Sequence, residues 1–369
     1  MRPVLPCSLL ILLLAAGAAT AGPRPLGIKA PNGESTIAYD INHAGQVAAV
    51  LEDDEGRQHA IMYEQGRLTE LGSLGGDYSN AKAINESGKI VGSARDANGH
   101  WRAIVYDKAG GMRDLGTLGG PSSFGMAING AGDVAGFADT ADGDFHAVLY
   151  KADGTVKDLG TLGGNISYAS GINNSGRIVG TAVAQDGFRH AFLYDPERGM
   201  QDLGTLGGRY SAAAAINDAG VIVGAAETAE HKTQAFVLDR GRMVDLGALI
   251  GYGNSYATGI NNAGHVVGTV TLRDQRQSFV WRDGKMTVHK GHHALFLTNG
   301  INDAETVIGA TNEQSRMNAA TMPSNEVAYV PANPAGRLGP VAMLGLAGAA
   351  AAIVLRRRYR GIQINSLAR

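Results

Sequence analysis

The segment Asp158–Gly164 reads DLGTLGG, and the same seven letters stand at Asp114–Gly120 and Asp202–Gly208. Near copies are Glu70–Gly76 (ELGSLGG) and Asp245–Gly251 (DLGALIG). The copies start at 70, 114, 158, 202 and 245, in steps of 44, 44, 44 and 43 residues. A period that regular means one supersecondary unit stacked many times. By length alone the 369 residues would divide into two or three domains, but a closed repeat array is one domain however long it runs.

Each unit carries four phrases. In the fourth they are Tyr168–Asn173 (YASGIN), Gly176–Ala182 (GRIVGTA), His190–Tyr194 (HAFLY) and Met200–Gly204 (MQDLG). They are short, rich in β-branched and aromatic residues, and bounded by Gly, Asn or Asp, which are strand signals. Four short strands per 44-residue period is the pattern of a propeller blade. Asn173 and Gly176 occupy positions i and i+3 of a type I turn, where Asn bonds nearby backbone and Gly accepts a positive φ. The Ile-Asn pair recurs at Ile41, Ile84, Ile128, Ile172, Ile216, Ile260 and Ile301, so the expected fold is an all-β propeller of about seven blades. In the seventh unit Glu305 replaces the turn Gly, which predicts the least regular turn. Val327–Val330 is the expected last strand. Upstream, Leu26-Gly27 echoes the repeat, so an extra strand is expected to latch the ring and remove an open edge.

The repeat is framed by two targeting signals. Residues 1–21 read as a signal peptide: Arg2, the apolar run Leu9–Leu14, then the small-x-small site Ala19-Thr20-Ala21. The single cysteine, Cys7, lies inside this leader, so the mature chain relies on packing rather than disulfides. The repeat body is assigned to 22–331 and a linker to 332–337. Leu338–Leu355 is an uncharged 18-residue run followed by Arg356-Arg357-Arg358-Tyr359-Arg360. It is long enough to span a bilayer core as a helix, with the basic tail 356–369 on the cytoplasmic side. The expected address is therefore the exported face of a bacterial envelope, with the membrane as one partner. A formal net charge of −2 gives no electrostatic reason to expect nucleic acid.

DLGTLGG followed by Ala-x-x-Ile-Asn, a Gly-hydrophobic pair and His-Ala-Phe resembles the extracellular HAF-type repeat family of bacterial secreted proteins. His190-Ala191-Phe192 is the literal HAF, with His59-Ala60-Ile61 and His146-Ala147-Val148 as near forms. The resemblance covers roughly residues 37 to 330 and implies export and a repeat fold, without an assigned reaction. Val330–Arg360 is similar to the bacterial PEP-CTERM sorting tail, with Pro331-Ala332-Asn333-Pro334 where that tail carries Pro-Glu-Pro.

No catalytic constellation and no cofactor site emerges. His59, His146 and His190 share one slot with Arg102, Gln234, Gln277 and Asn318, so the slot asks for a polar side chain, and a structural hydrogen bond is expected there. Asp114, Asp158, Asp202 and Asp245, with Glu70 in the first copy, are expected to accept backbone N–H groups in their turns. His289-Lys290-Gly291-His292-His293 matches no zinc spacing and reads as a solvated loop. In a propeller the loop after strand four and the loop between strands two and three share one face. The first is nearly constant (Thr-Leu-Gly-Gly); the second differs in every unit. That face is the expected ligand surface, with an acidic side at Asp53, Asp54, Asp139, Asp142 and Asp144 and a basic side at Arg189, Lys232, Arg273, Arg276 and Arg316. The acidic side could meet a cation such as calcium or a cationic partner. The functional expectation is a non-catalytic binding or envelope module for an extracellular glycan or envelope protein. The rivals are a propeller enzyme acting on an extracellular polysaccharide and a purely structural envelope protein.

If 338–355 is the tether, deleting Leu338–Arg369 yields a folded protein recovered in the soluble periplasm or medium. A truncated chain still in the membrane fraction is the opposite outcome.

Overall fold

The structure, a computed structural model, describes residues 23–26, 35–249, 253–272, 275–289, 295–313 and 316–323. They form seven four-stranded antiparallel sheets, so the all-β, seven-bladed propeller expected from the period is what the chain builds. Helix among the described residues is limited to one 3₁₀ turn, Gly247–Leu249. The signal peptide, the sorting tail and the expected membrane helix at 338–355 lie outside the described residues. No described helix is long and apolar enough to cross a membrane.

Blade 4 shows the plan: strands Gly163–Ile172, Ile178–Ala184, Arg189–Asp195 and Gly199–Asp202, hydrogen-bonded in chain order. The first strands of neighbouring blades touch all the way round, including the seventh against the first, so strand one lines a central channel. One sequence expectation needs correction. Gly163-Gly164 of DLGTLGG is not loop but the start of a ten-residue first strand, where Gly163 pairs with Ala184. Leu162 bridges to Ala184 as well. The connection between blades is therefore shorter and stiffer than the repeated phrase suggests.

The core lies between blades. Ala135, Ala147 and Leu149 of blade 3 pack on Ala169, Ile178 and Phe192 of blade 4, all buried. The Phe of the HAF phrase fills the deepest positions: Phe192, Phe236 and Phe279 are 0% exposed. Gly180 faces a β-bulge in strand one, where a Cβ would collide with the carbonyl oxygen of Tyr168. The same glycine recurs at 92, 136, 224, 268 and 309 for the same reason. Ala49 stands at this position in blade 1 and pairs with Ala38.

Two sets of polar bonds bolt the blades together. A first-strand hydroxyl accepts a backbone N–H from strand three of the preceding blade: Ser79 from Ala60, Ser123 from Ala103, Ser167 from Ala147, Ser211 from Ala191 and Ser255 from Ala235. Thr36 accepts from Ala319 across the closure. The second set is a ring. The Asn42 side-chain amide donates to the carbonyl of Asn85 (3.2 Å), Asn85 to Asn129 (3.1 Å), and Asn129 to Asn173 (3.3 Å). Asn173 donates to Asn217 (3.1 Å), Asn217 to Asn261 (3.1 Å), Asn261 to Asn302 (3.2 Å), and Asn302 back to Asn42 (3.2 Å). Each Asn Oδ1 meanwhile accepts the N–H four residues on, as Arg177 donates to Asn173. The turn residue of the sequence is thus also the link between blades.

Blade 7 is closed from the other end of the chain. Its own strands are Leu297–Ile301, Thr306–Glu313 and Arg316–Pro323, and Arg24–Pro25 supplies the fourth. Leu26 N–H donates to Ala319 O, as Leu159 does to Ala147 in blade 3. The echo at Leu26 is therefore a true latch. It takes the outer position expected for Val327–Val330, which lies outside the described residues. The seventh turn is also not irregular: Glu305 N–H reaches Asn302 O at 3.0 Å like its counterparts. Glu305 adopts a φ of 61°, and Arg282 and His265 hold its carboxylate at 2.7 and 2.8 Å. Both ends of the described ring, Arg24 and Pro323, lie in blade 7 on the face that carries the Asn turns, because Arg24 pairs with Thr321 and Pro323 with Thr306.

Asn173→Ala should cost about 2–3 kcal/mol, because it leaves a buried carbonyl and a turn N–H unpaired at once. A thermal or urea melt showing no destabilisation would contradict the structural role of the ring.

Candidate functional site

The repeated acid–base groups settle into the scaffold and into one another. Asp158 Oδ1 accepts the N–H of Gly160 at 2.8 Å, as Asp114 does from Gly116 and Asp202 from Gly204. The other oxygen meets the HAF slot on strand three: His146 Nδ1 lies 2.8 Å from Asp158, and His190 Nδ1 2.7 Å from Asp202. Arg102 makes the same contact to Asp114 at 2.8 Å. Arg cannot serve as a base at neutral pH, yet it fits the slot, so the pair serves to hold strand four to strand three. In blade 1 Glu70 takes the acid position, and His59 turns instead to Asp53.

The loop-face acids fall into two separate groups. Asp53 is a hairpin cap: Oδ1 accepts N–H groups from Glu55 and Arg57, and Oδ2 meets Arg57 Nε at 2.7 Å and His59 at 3.0 Å. The hydrogen bond to His59, then those to Arg57, hold its carboxyl well below the usual carboxylate range. Asp54 is exposed beside it. In blade 3 Asp139 is buried on strand two, Asp142 is exposed at the loop tip, and Asp144 accepts a hydrogen bond from Asn165 at 2.9 Å. Among the described residues these acids do not gather into a group of three or more that could hold a metal ion. On the basic side Arg189, Lys232 and Arg276 are exposed; Arg273 and the side chain of Arg316 lie outside the described set. Of the imidazole cluster, His289 ends a strand and is buried at 2% exposure rather than lying in a solvated loop. The rest of the cluster is not described.

The structure also brings together residues that sequence reasoning passed over. Two positions before each Ile-Asn pair stand Tyr39, Lys82, Met126, Ser170, Ala214, Thr258 and Asn299, all half-buried on the channel strands. The next position is Ala or Gly in six blades, because neighbouring first strands approach closely: a Cβ at Gly259 would lie 3.1 Å from Gly300 Cα. In blade 1 it is Asp40. Its oxygens accept the N–H of Ile41 and, across the blade gap, of Ile84, both at 2.9 Å. Lys82 Nζ lies 3.7 Å over the Tyr39 ring. Asn299 donates to Ala38 O at 2.7 Å, and its Oδ1 has no hydrogen-bond partner among the described residues. A polar cluster thus occupies the blade 7–1–2 side of the channel. Burial pushes the Asp40 carboxyl up to about 6, against the two N–H bonds and with the Glu86 charge adding to the rise. The signal in the sequence was an acid at a slot otherwise held by Ala or Gly.

A raised carboxyl favours the protonated fold. Its contribution is complete below the unfolded value near 3.8 and is lost as pH rises through about 6. Asp40→Asn should therefore flatten stability between pH 4 and 7, removing a fall of roughly 2 kcal/mol in the native protein. Urea midpoints against pH for both proteins measure it. Parallel curves would mean that Asp40 titrates normally.

No family model matches this sequence, and no curated protein is similar to it. Among solved structures the chain is similar to the β-propeller domain of the Trilobed protease from Pyrococcus furiosus, described as having an open velcro topology. The TM-score is 0.57 and the identity 14%, over 78% of this chain and 95% of that one. It is also similar to a Mycobacterium tuberculosis puromycin-hydrolyzing peptidase, with TM-score 0.56 and 12% identity over 81% of this chain and 54% of that one. The acylaminoacyl peptidase of Pyrococcus horikoshii gives 0.52 and 14%, over 78% and 50%. The chain spans about half the length of the two peptidases. At these identities the likeness is one of fold: a four-stranded-blade propeller.

Proposed function

We propose that this protein is an exported, non-catalytic binding module of the bacterial envelope, tethered or sorted by its C-terminal segment. It holds an extracellular glycan or envelope protein on the face formed by the loops between strands two and three. The observation that carries the reading is the interchange of Arg102, His146 and His190 against Asp114, Asp158 and Asp202. A His–Asp pair replaceable by Arg–Asp in the same contact is a structural element, so the repeats supply scaffold and their loops supply recognition. The resemblance to HAF-type repeats and the leader and tail of the sequence support export.

One feature favours the enzyme reading. The carboxyl of Asp40, shifted toward neutrality between the first strands of blades 1 and 2, is the kind of group that serves as a general acid. On that reading a polysaccharide end would enter the channel.

A screen of the purified protein against neutral and acidic oligosaccharides, read for both retention and chain length, separates the two. Retention without shortening supports the binding module. Shortening abolished by Asp40→Asn would establish the enzyme instead, and neither retention nor shortening would leave a purely structural role.

A further inference from the structure

Aromatic rings and arginines are distributed unevenly over the two faces. On the loop face, Tyr78 and Trp101 of blade 2 stand edge to face with centroids 6.2 Å apart. The Arg95 guanidinium lies against both rings, 4.4 Å from the centre of Tyr78 and 5.2 Å from that of Trp101. Other well-placed arginines are consumed by carboxylates: Arg57 by Asp53, Arg102 by Asp114, Arg177 by Asp195 and Arg282 by Glu305. Arg95 is held more loosely: its ion pair with the exposed Asp77 is long, 4.0 Å from Nη1, and its Nε is buried with no hydrogen-bond partner among the described residues. The guanidinium is fixed by stacking, and the carboxylate it meets is exposed and at the far limit of an ion pair.

The arrangement recurs on the same face. Arg209 lies 5.1 Å over Phe188, which meets Tyr210 edge-on at 5.5 Å. Arg276 lies 5.8 Å over Phe296. All these residues sit at, or one residue before, the loop ends of strands, opposite the face where Arg24 and Pro323 lie.

We propose that the Tyr78–Arg95–Trp101 station binds a carboxylate-bearing sugar unit of an acidic polysaccharide, with the Arg209 and Arg276 stations able to take further units of the same chain. The proposal rests on the binding-module reading and names its ligand class. Flat rings receive the apolar face of a pyranose, and a pre-oriented guanidinium matches a carboxylate with two parallel hydrogen bonds. Repetition around one face suits a polymer rather than a single small ligand. A net charge of −2 provides no general attraction for polyanions, so recognition must come from these local stations.

The probe is tetragalacturonate, titrated calorimetrically into the full-length exported chain, beside its carboxyl-reduced neutral form and single-stranded DNA. Binding of the acidic form alone is expected. Arg95→Gln and Arg95→Lys should each weaken it at least tenfold with unchanged melting, since Lys keeps the charge but not the fork. Trp101→Phe, which retains a ring, should weaken it less than either. Equal binding of the reduced form, unchanged affinity in both folded Arg95 variants, preferred binding of DNA, or no binding of tetragalacturonate would overturn the proposal. A neutral oligosaccharide bound independently of Arg95 would overturn this inference and leave the binding module standing. Shortening of the probe would overturn the binding-module reading itself.

Discussion

The ring of seven asparagine amides is the constraint on which the architecture depends. Each side chain holds its own turn through Oδ1 and the next blade through Nδ2, so local turn geometry and global ring geometry are one requirement. A single hydrogen bond of this kind contributes about 1 kcal/mol net, but leaving the buried carbonyl unpaired costs more. The links also share a condition that no single blade can satisfy. The rotation per blade must return to its start after seven steps, and the last link, from Asn302 to Asn42, is 3.2 Å, no longer than those between perfect repeats. Closure is thus achieved without strain concentrated at the seam.

That condition explains how the worn units survive. At the blade 6–7 boundary Phe296 stands where other first strands carry the bolting hydroxyl. Ser278 stands where the preceding strand carries Ala, and it accepts the N–H of Leu295 instead. The hydroxyl has changed sides and the bond is kept. Glu305 in place of the turn glycine accepts a left-handed φ, a conformation unfavourable for a side chain, offset by ion pairs to Arg282 and His265. Departures from the repeat are tolerated where the geometry of the ring is restored by another residue.

Two other departures from the repeat lie on the channel strands and on the loop face. Asp40 replaces a small residue on the channel wall, and Arg95, with only a long ion pair to Asp77, is clamped between rings on the loop face. The dyads that most resemble catalytic groups join strand three to strand four in blades 2, 3 and 4, with Arg in place of His in blade 2. In a symmetric array, function is sought in what breaks the symmetry, since equivalent positions are spread around the ring and cannot converge on one substrate atom.

The sequence by itself determined the repeat period, a propeller of about seven blades, the four strands of each unit and the Asn–Gly turns, and it marked Leu26 as an echo of the repeat, because each depends on neighbours in the chain or on a period repeated many times. It also placed the HAF-slot histidines and the Asp residues in structural roles, although not in contact with each other. Only the tertiary structure decided the rest. The asparagine ring joins residues 44 apart and, at the seam, 260 apart. The outer strand of blade 7 comes from the opposite end of the chain: Arg24–Pro25 pairs with Arg316–Pro323. The channel cluster was hidden for a further reason. A bulge between Ala38 and Asp40 shifts the register of the first strand, so the alternation of inward and outward side chains cannot be carried through it by counting. Which side chains face the channel is fixed by how seven bulged strands approach one another, and that distance exists only in the closed ring.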